Sequence, residues 1–275
     1  MRFRDAAAAV AAALAMSGAS VYAAANQVKA EILARLQQAV PGVAPADYAL
    51  GSAAFDAELR AALQEKAGES AAVIEAGKKV WTRKFRNGRT LAACFPNGGR
   101  RIAAAYPQYD ARLKRVVTLE MAVNQCLKAN GEPLFEMAEP QTMGAAIAYL
   151  RSLSDAQKAA VRVSAAAEER FEEGRRLYFT RMGQRNFACA SCHVQSPGRR
   201  YTEQVLSPAI GQATHWPIIR GGRAITLQAR IRECLEIMGA APFPAGSEEL
   251  NNIEYFLAYL SNGLPLRANV VRPER

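Results

Sequence analysis

Apolar side chains recur every three or four positions along most of this chain, the spacing of one buried helix face. Val28, Ile32 and Leu36 open the pattern, Pro41, Gly42 and Pro45 interrupt it, and Phe55, Leu59 and Leu63 resume it. Residues 26–70 therefore read as a helical N-terminal extension in two pieces, with no residue in it that suggests chemistry. Leu227, Ile231, Cys234, Leu235 and Met238 line one face of a helix over 226–238, with Thr226 as a candidate N-cap and Gly239 just past the end. Apolar helices also carry Ala148-Tyr149-Leu150 and Ala258-Tyr259-Leu260. Half the chain is apolar, only 8% is aromatic and alanine abounds, which favours helix over sheet, so the expected class is all-α.

The pattern occurs twice. Gly77-Lys78-Lys79-Val80-Trp81 corresponds to Gly174-Arg175-Arg176-Leu177-Tyr178. Gly88 precedes Cys94 by six residues, as Gly183 precedes Cys189. Gln125-Cys126-Leu127 with Gly131 matches Glu233-Cys234-Leu235 with Gly239. Ordered self-similarity of this kind predicts a duplicated domain, spanning 71–155 and then 165–265. Ser152, Ser154 and Asp155 mark the connection.

The N-terminus changes the picture of where the chain works. Arg2 and Arg4 precede an apolar run, Ala6–Met16, too short to span a bilayer, and Ala23 or Ala25 can precede a cleavage site. Residues 1–25 read as a secretory signal peptide, which implies an exported protein with no membrane span after cleavage. The net charge of +10 comes without the basic and aromatic repeats of a nucleic-acid binder. Small anions or an acidic protein partner suit such a charge better.

The second half carries Cys189-Ala190-Ser191-Cys192-His193, the attachment signature of a c-type haem. Two thiols at this spacing reach the two vinyl groups of the porphyrin, and the adjacent histidine serves as proximal iron ligand. A structural zinc site needs a second Cys/His pair, and the only other histidine is His215. In the first half the motif has decayed to Cys94-Phe95-Pro96-Asn97-Gly98, which lacks the second thiol and the histidine. One covalent haem c is therefore expected, in the second domain only.

Cys94, Cys126 and Cys234 remain after haem takes its two cysteines. If Cys234 approaches the iron, its counterpart Cys126 approaches the vacated site of the first domain, next to Cys94, and a Cys94–Cys126 disulfide follows. Two residues compete for the iron's second face. Met238 suits an electron-transfer cytochrome, and Cys234 is the cysteine left over. A guanidinium nearby stabilises a thiolate, and Arg230 stands one helical turn before Cys234. Arg230 can also grip an oxyanion through a forked pair of hydrogen bonds. The first half has Ala122 at that position. Arg220, Arg223 and Arg232 are weaker candidates, and His215 is a structural residue or a rival distal ligand.

Tyr48-Ala49-Leu50-Gly51 with Phe55, Gly77–Trp81, Cys189–His193 and Arg230–Cys234 together resemble the SoxA family, the larger subunit of the SoxAX cytochrome of bacterial sulfur oxidation. The resemblance implies two tandem cytochrome c-like domains. It implies a periplasmic L-cysteine S-thiosulfotransferase that joins thiosulfate oxidatively to a cysteine of a SoxYZ-like carrier. By the same resemblance Cys189 and Cys192 hold haem, and His193 and Cys234 are the axial iron ligands. Cys234 carries a persulfide intermediate, Arg230 binds substrate, and Cys94–Cys126 form a disulfide where other members hold a second haem. A SoxX-like monohaem subunit is the implied partner. The competing activities are a thiosulfate dehydrogenase that releases tetrathionate and a plain electron-transfer cytochrome with His193 and Met238 on iron.

Overall fold

The computed structural model describes residues 3–65, 67–201, 204–267 and 270–271, with backbone alone described at 3–20, 64, 67 and 270. Arg2, part of the expected leader, lies outside the described residues. Helix α1 (Phe3–Ala39) passes Ala23 and Ala25 without a break and stops just before Pro41-Gly42. Its face bearing Ala25, Ile32 and Leu36 is buried in the core of the second domain, and Tyr22 meets Tyr259 edge-on at 6.5 Å. A 3₁₀ segment, Pro45–Ala54, follows, then α2 (Ala57–Glu65) and α3 (Ala67–Thr82). Helices α4 (Leu119–Ala129) and α5 (Met143–Ser152) complete the first domain. The second is built from α6 (Glu168–Phe179), α7 (Cys189–His193), α8 (Leu227–Ile237) and α9 (Glu248–Leu260).

The duplication is visible in how helices meet. In the first domain α3 crosses α5 at Gly77, where a Cβ would lie 1.9 Å from the carbonyl oxygen of Ala145. In the second, α6 crosses α9 at Gly174, where a Cβ would lie 2.0 Å from the carbonyl oxygen of Asn252. Backbones this close tolerate only hydrogen at the crossing. Thr118 caps α4 by accepting from the amide of Met121, and Thr226 caps α8 by accepting from Ala229. Gly131 and Gly239 follow those two helices with φ of 70° and 72°, the left-handed turn that ends a helix. Each capped helix is entered from a hairpin. Strands β1 (Gln108–Asp110) and β2 (Arg115–Val117) pair antiparallel, with Gln108 opposite Val117.

Five further strands follow among the described residues. Strands β3 (Arg200–Tyr201) and β4 (Gln204–Val205) form a short ribbon. Strands β5 (Ile218–Arg220) and β6 (Arg223–Ile225) form the hairpin before α8, and β7 (Val270–Val271) runs parallel to β5. The frame is helical, at 53% of the chain, as expected of two cytochrome c-like domains, and the few strands are short additions to it. Segments of two or three residues are too short to show an alternating pattern, which is why the sequence does not announce them.

The two domains share a buried charged seam. Arg151 on α5 donates to the carbonyls of Ala213 at 2.8 Å and Thr214 at 3.4 Å. Glu120 on α4 is buried near it, and Glu254 on α9 accepts from Gln228 at 3.0 Å. Burial and the neighbouring Glu120 push the Glu254 carboxyl up to about 8, while Arg151 opposes them.

Candidate functional site

A cavity opens between α6, α7, α8 and α9, enclosing about 1450 Å³ with its solvent-filled mouth. Its walls are apolar around Leu227, Ile231, Ile253 and Leu257. Cys189, Cys192, His193, Arg230, Cys234 and Met238 all line it. The helical spacing of α8 puts Arg230, Cys234 and Met238 on one stripe, while α7 brings the CxxCH residues as a single turn.

His193 is held by its Nδ1, which donates to the carbonyl of Ser207 at 2.7 Å. That bond fixes the tautomer and leaves Nε2 as the lone-pair nitrogen. Burial and the positive charge of Arg230 lower its pKa to about 4, with the Ser207 bond opposing, so the ring is neutral. A neutral imidazole of fixed tautomer is what a metal requires. Burial pushes the Cys189 thiol up to about 12, with Cys234 adding to the rise, and raises Cys192 in the same way. The two thiols stay protonated rather than charged. The mutual influence of Cys189, Cys192 and Cys234 reflects three sulfurs facing one space. Two thiols, a ligand-ready imidazole and an apolar enclosure fit haem c, and no other residue type at the site contradicts it.

Cys234 departs from expectation in one respect. The guanidinium of Arg230 does draw its thiol down, but burial is the larger influence and Glu233 adds to it, so the thiol stands above its usual range. A positive charge one turn away does not outweigh removal from water. Arg230 is held on both arms. Its Nη1 donates to Glu233 at 2.9 Å and its Nη2 to the side-chain oxygen of Gln204. Arg220 reaches the same carboxylate at 2.7 Å and also lines the cavity. Arg223 is exposed at the hairpin turn, and Arg232 does not line the cavity. His215 is buried, with Nδ1 donating to the carbonyl of Gly211 at 2.9 Å, and its ring faces Trp216.

In the first domain Cys94 and Cys126 are joined, with Cα atoms 5.9 Å apart. Asn130 donates to the carbonyl of Cys126 at 2.8 Å beside them. Trp81 fills the adjoining core, with its ring 5.0 Å from that of Phe95 and its indole N–H donating to Gly98 at 3.0 Å.

Several wall residues were not visible as site residues in the sequence. Ser52 and Leu59 line the cavity, so the N-terminal extension, read as chemically silent, closes one side of it. Ser52 donates to the carbonyl of Val205 at 2.7 Å, and Tyr48 is buried in the second domain's core. Tyr201, Gln204 and Ser207 come from the β3–β4 ribbon and the loop after it, segments too short for any periodicity to mark them.

A family model described as "SoxA/TsdA, cytochrome c domain" matches residues 76–159 and again 173–266. Proteins named L-cysteine S-thiosulfotransferase subunit SoxA are similar over most of their length. That of Chlorobaculum tepidum is 41% identical, covering 70% of this chain and 67% of its own. That of Chlorobaculum thiosulfatiphilum is 38% identical over 82% of this chain and 79% of its own. That of Allochromatium vinosum is 36% identical over 88% of both. A solved structure titled as SoxXA from Paracoccus pantotrophus superposes with a TM-score of 0.72 at 24% identity, covering 79% of this chain and 84% of that one, and supports the fold. With two matched cytochrome c domains and relatives of this identity over most of its length, the chain belongs to the SoxA family.

Proposed function

We propose that this chain is the haem c subunit of an L-cysteine S-thiosulfotransferase, which conjugates thiosulfate to a cysteine of a SoxYZ-like carrier protein. The observation that carries the reading is the convergence of Cys189, Cys192, His193, Arg230 and Cys234 on one cavity. Haem c would be held covalently by Cys189 and Cys192, with His193 and Cys234 as the side chains that would bind its iron. When bound, it would supply a one-electron carrier through which the two electrons released by sulfur–sulfur bond formation pass one at a time to an onward acceptor. The first domain carries the Cys94–Cys126 disulfide and no haem. Residues 1–25 act as a leader, the mature chain works in the periplasm, and a SoxX-like monohaem subunit receives the electrons. Among the described residues no helix is long and apolar enough to cross a membrane.

The chain's own residues divide the work. Arg230 offers its guanidinium to the sulfonate end of thiosulfate, which leaves the sulfane sulfur free to face Cys234. Cys234, carried as its persulfide, bonds to that sulfane sulfur with loss of two electrons. The carrier thiolate, having given its proton to solvent, then attacks the same sulfur. The Cys234 persulfide leaves unchanged, and the carrier departs as an S-thiosulfonate. Apolar walls exclude water that would compete with the carrier.

Replacing Cys234 by alanine tests this. The variant should keep covalent haem and lose carrier conjugation. Unchanged conjugation would exclude the reading. Met238 lines the same cavity, so an electron-transfer cytochrome is the second reading. A methionine-to-iron absorption band in the oxidised protein would favour it. Tetrathionate formed from thiosulfate alone, with no carrier needed, would favour the dehydrogenase.

A further inference from the structure

The residues that line the cavity include two arginines and no carboxylate among those described. The negative charge that balances them comes from behind the wall. Glu233 spans both guanidinia, with Oε1 accepting from Nη2 of Arg220 at 2.7 Å and Oε2 accepting from Nη1 of Arg230 at 2.9 Å. The three side chains come from two elements, β5 and α8. Arg220 ends β5 and Glu233 lies thirteen residues on, in the last half of α8, one turn past Arg230. None is deeply buried, since the side chains of Arg220, Arg230 and Glu233 are 29%, 18% and 35% exposed. Ion pairs this exposed are weakly held and exchange partners with solutes.

A carboxylate bridging two guanidiniums presents two oxygens where a tetrahedral oxyanion would present two of its own. We propose that Glu233 is an internal counterion that occupies the Arg220–Arg230 pair between turnovers and is displaced from it by the incoming sulfur oxyanion. This makes Arg220 a second anion-binding group and Glu233 a positioning residue that sets affinity and release. The proposal rests on the cavity being the thiosulfate site. With Glu233 in place the cluster bears one net positive charge, enough to attract an anion and weak enough to release the anionic product. Without it, two guanidiniums face the anion uncompensated. Gln204, on the other arm of Arg230, keeps that side chain aimed while Glu233 moves aside.

The test uses the haem-loaded chain, with sulfate as an unreactive tetrahedral oxyanion and thiosulfate as the reacting one. Calorimetric titration gives each affinity. Glu233→Gln should tighten sulfate binding at least about tenfold, since a charge is removed within contact distance of both guanidiniums. Its KM for thiosulfate should fall together with kcat, as product release slows. Adding Arg220→Ala to Glu233→Gln should cancel most of the gain. Glu233→Asp, which keeps the charge on a side chain one methylene shorter, should tighten sulfate binding less than Glu233→Gln does. Unchanged or weaker sulfate binding in Glu233→Gln, with covalent haem content and helicity intact, would overturn the counterion role while wild-type thiosulfate binding upholds the site itself. If wild type and Arg230→Ala both fail to bind thiosulfate, the reading of the cavity falls and the counterion role falls with it.

Discussion

Gly174→Ala offers a sharp test of the packing that holds the cavity walls. The added methyl would sit 2.0 Å from the carbonyl oxygen of Asn252 and 3.1 Å from Cβ of Phe256. An ordinary carbon–oxygen contact is about 3.3 Å or more, so α6 and α9 must part by roughly 1 Å. Neither obstacle is the end of a flexible side chain, and overpacking of this kind costs about 1–3 kcal/mol. Alanine returns about 1 kcal/mol through better helix propensity. Taking the upper end for a backbone clash leaves a net loss of about 2 kcal/mol, roughly thirtyfold in the folded-to-unfolded ratio. Tyr178 on α6, and Ile253 and Leu257 on α9, line the cavity, so the separation also loosens its floor. Urea unfolding followed by helicity gives the stability difference directly. Gly68→Ala in α3, where nothing lies within 4 Å of the added carbon, is the control and should be neutral to stabilising by up to about 1 kcal/mol. If Gly174→Ala is as stable as Gly68→Ala, the close helix crossing is wrong.

Further outcomes follow from the same structure. Gly77→Ala should destabilise the first domain about as much as Gly174→Ala does the second, because its methyl would lie 1.9 Å from the Ala145 carbonyl oxygen, and helicity-monitored unfolding compares the two. Replacing both Cys94 and Cys126 by alanine should cost about 3–4 kcal/mol, the loop-closure value for cysteines 32 residues apart. No shift in the urea midpoint would contradict that. Glu254, with its carboxyl raised to about 8 from an ordinary 4.5, binds a proton in the folded chain that the unfolded chain has lost. Stability should therefore fall as pH rises between those values, and Glu254→Gln should flatten the fall. Melting temperatures of the two proteins across that range would show equal slopes if the buried seam does not titrate.

Much of the frame is readable from local pattern. The interval between Gly77 and Trp81 returns as Gly174 and Tyr178, where each glycine admits a close helix crossing and each ring packs against an aromatic of the facing helix. Thr226 and Gly239 bracket α8 through capping chemistry, which acts within one turn and so leaves a local trace. Cys189, Cys192 and His193 stand close in sequence, the spacing at which two thiols would reach the vinyl groups of a porphyrin while the histidine reaches its iron. The rest depends on distant residues. The carbonyl of Ser207 that fixes His193 carries no side-chain signature. Ser52 and Leu59 reach the cavity only because Pro45–Ala54 folds back onto the second domain. Glu233 reads as a solvated helix residue until the β5–β6 hairpin brings Arg220 to it. Glu120, Arg151 and Glu254 belong to three helices of two domains, and no spacing rule connects them.

The central claim is that His193 and Cys234, which line one cavity, would both bind the iron of the haem. It is tested most directly by the electron paramagnetic resonance spectrum of the oxidised, haem-loaded protein, recorded for wild type and Cys234→Ala. The account predicts a low-spin thiolate–histidine signal in wild type that is lost in the variant while the haem remains covalently attached. A signal that survives the substitution unchanged, or a wild-type spectrum altered only by Met238→Ala, would contradict it.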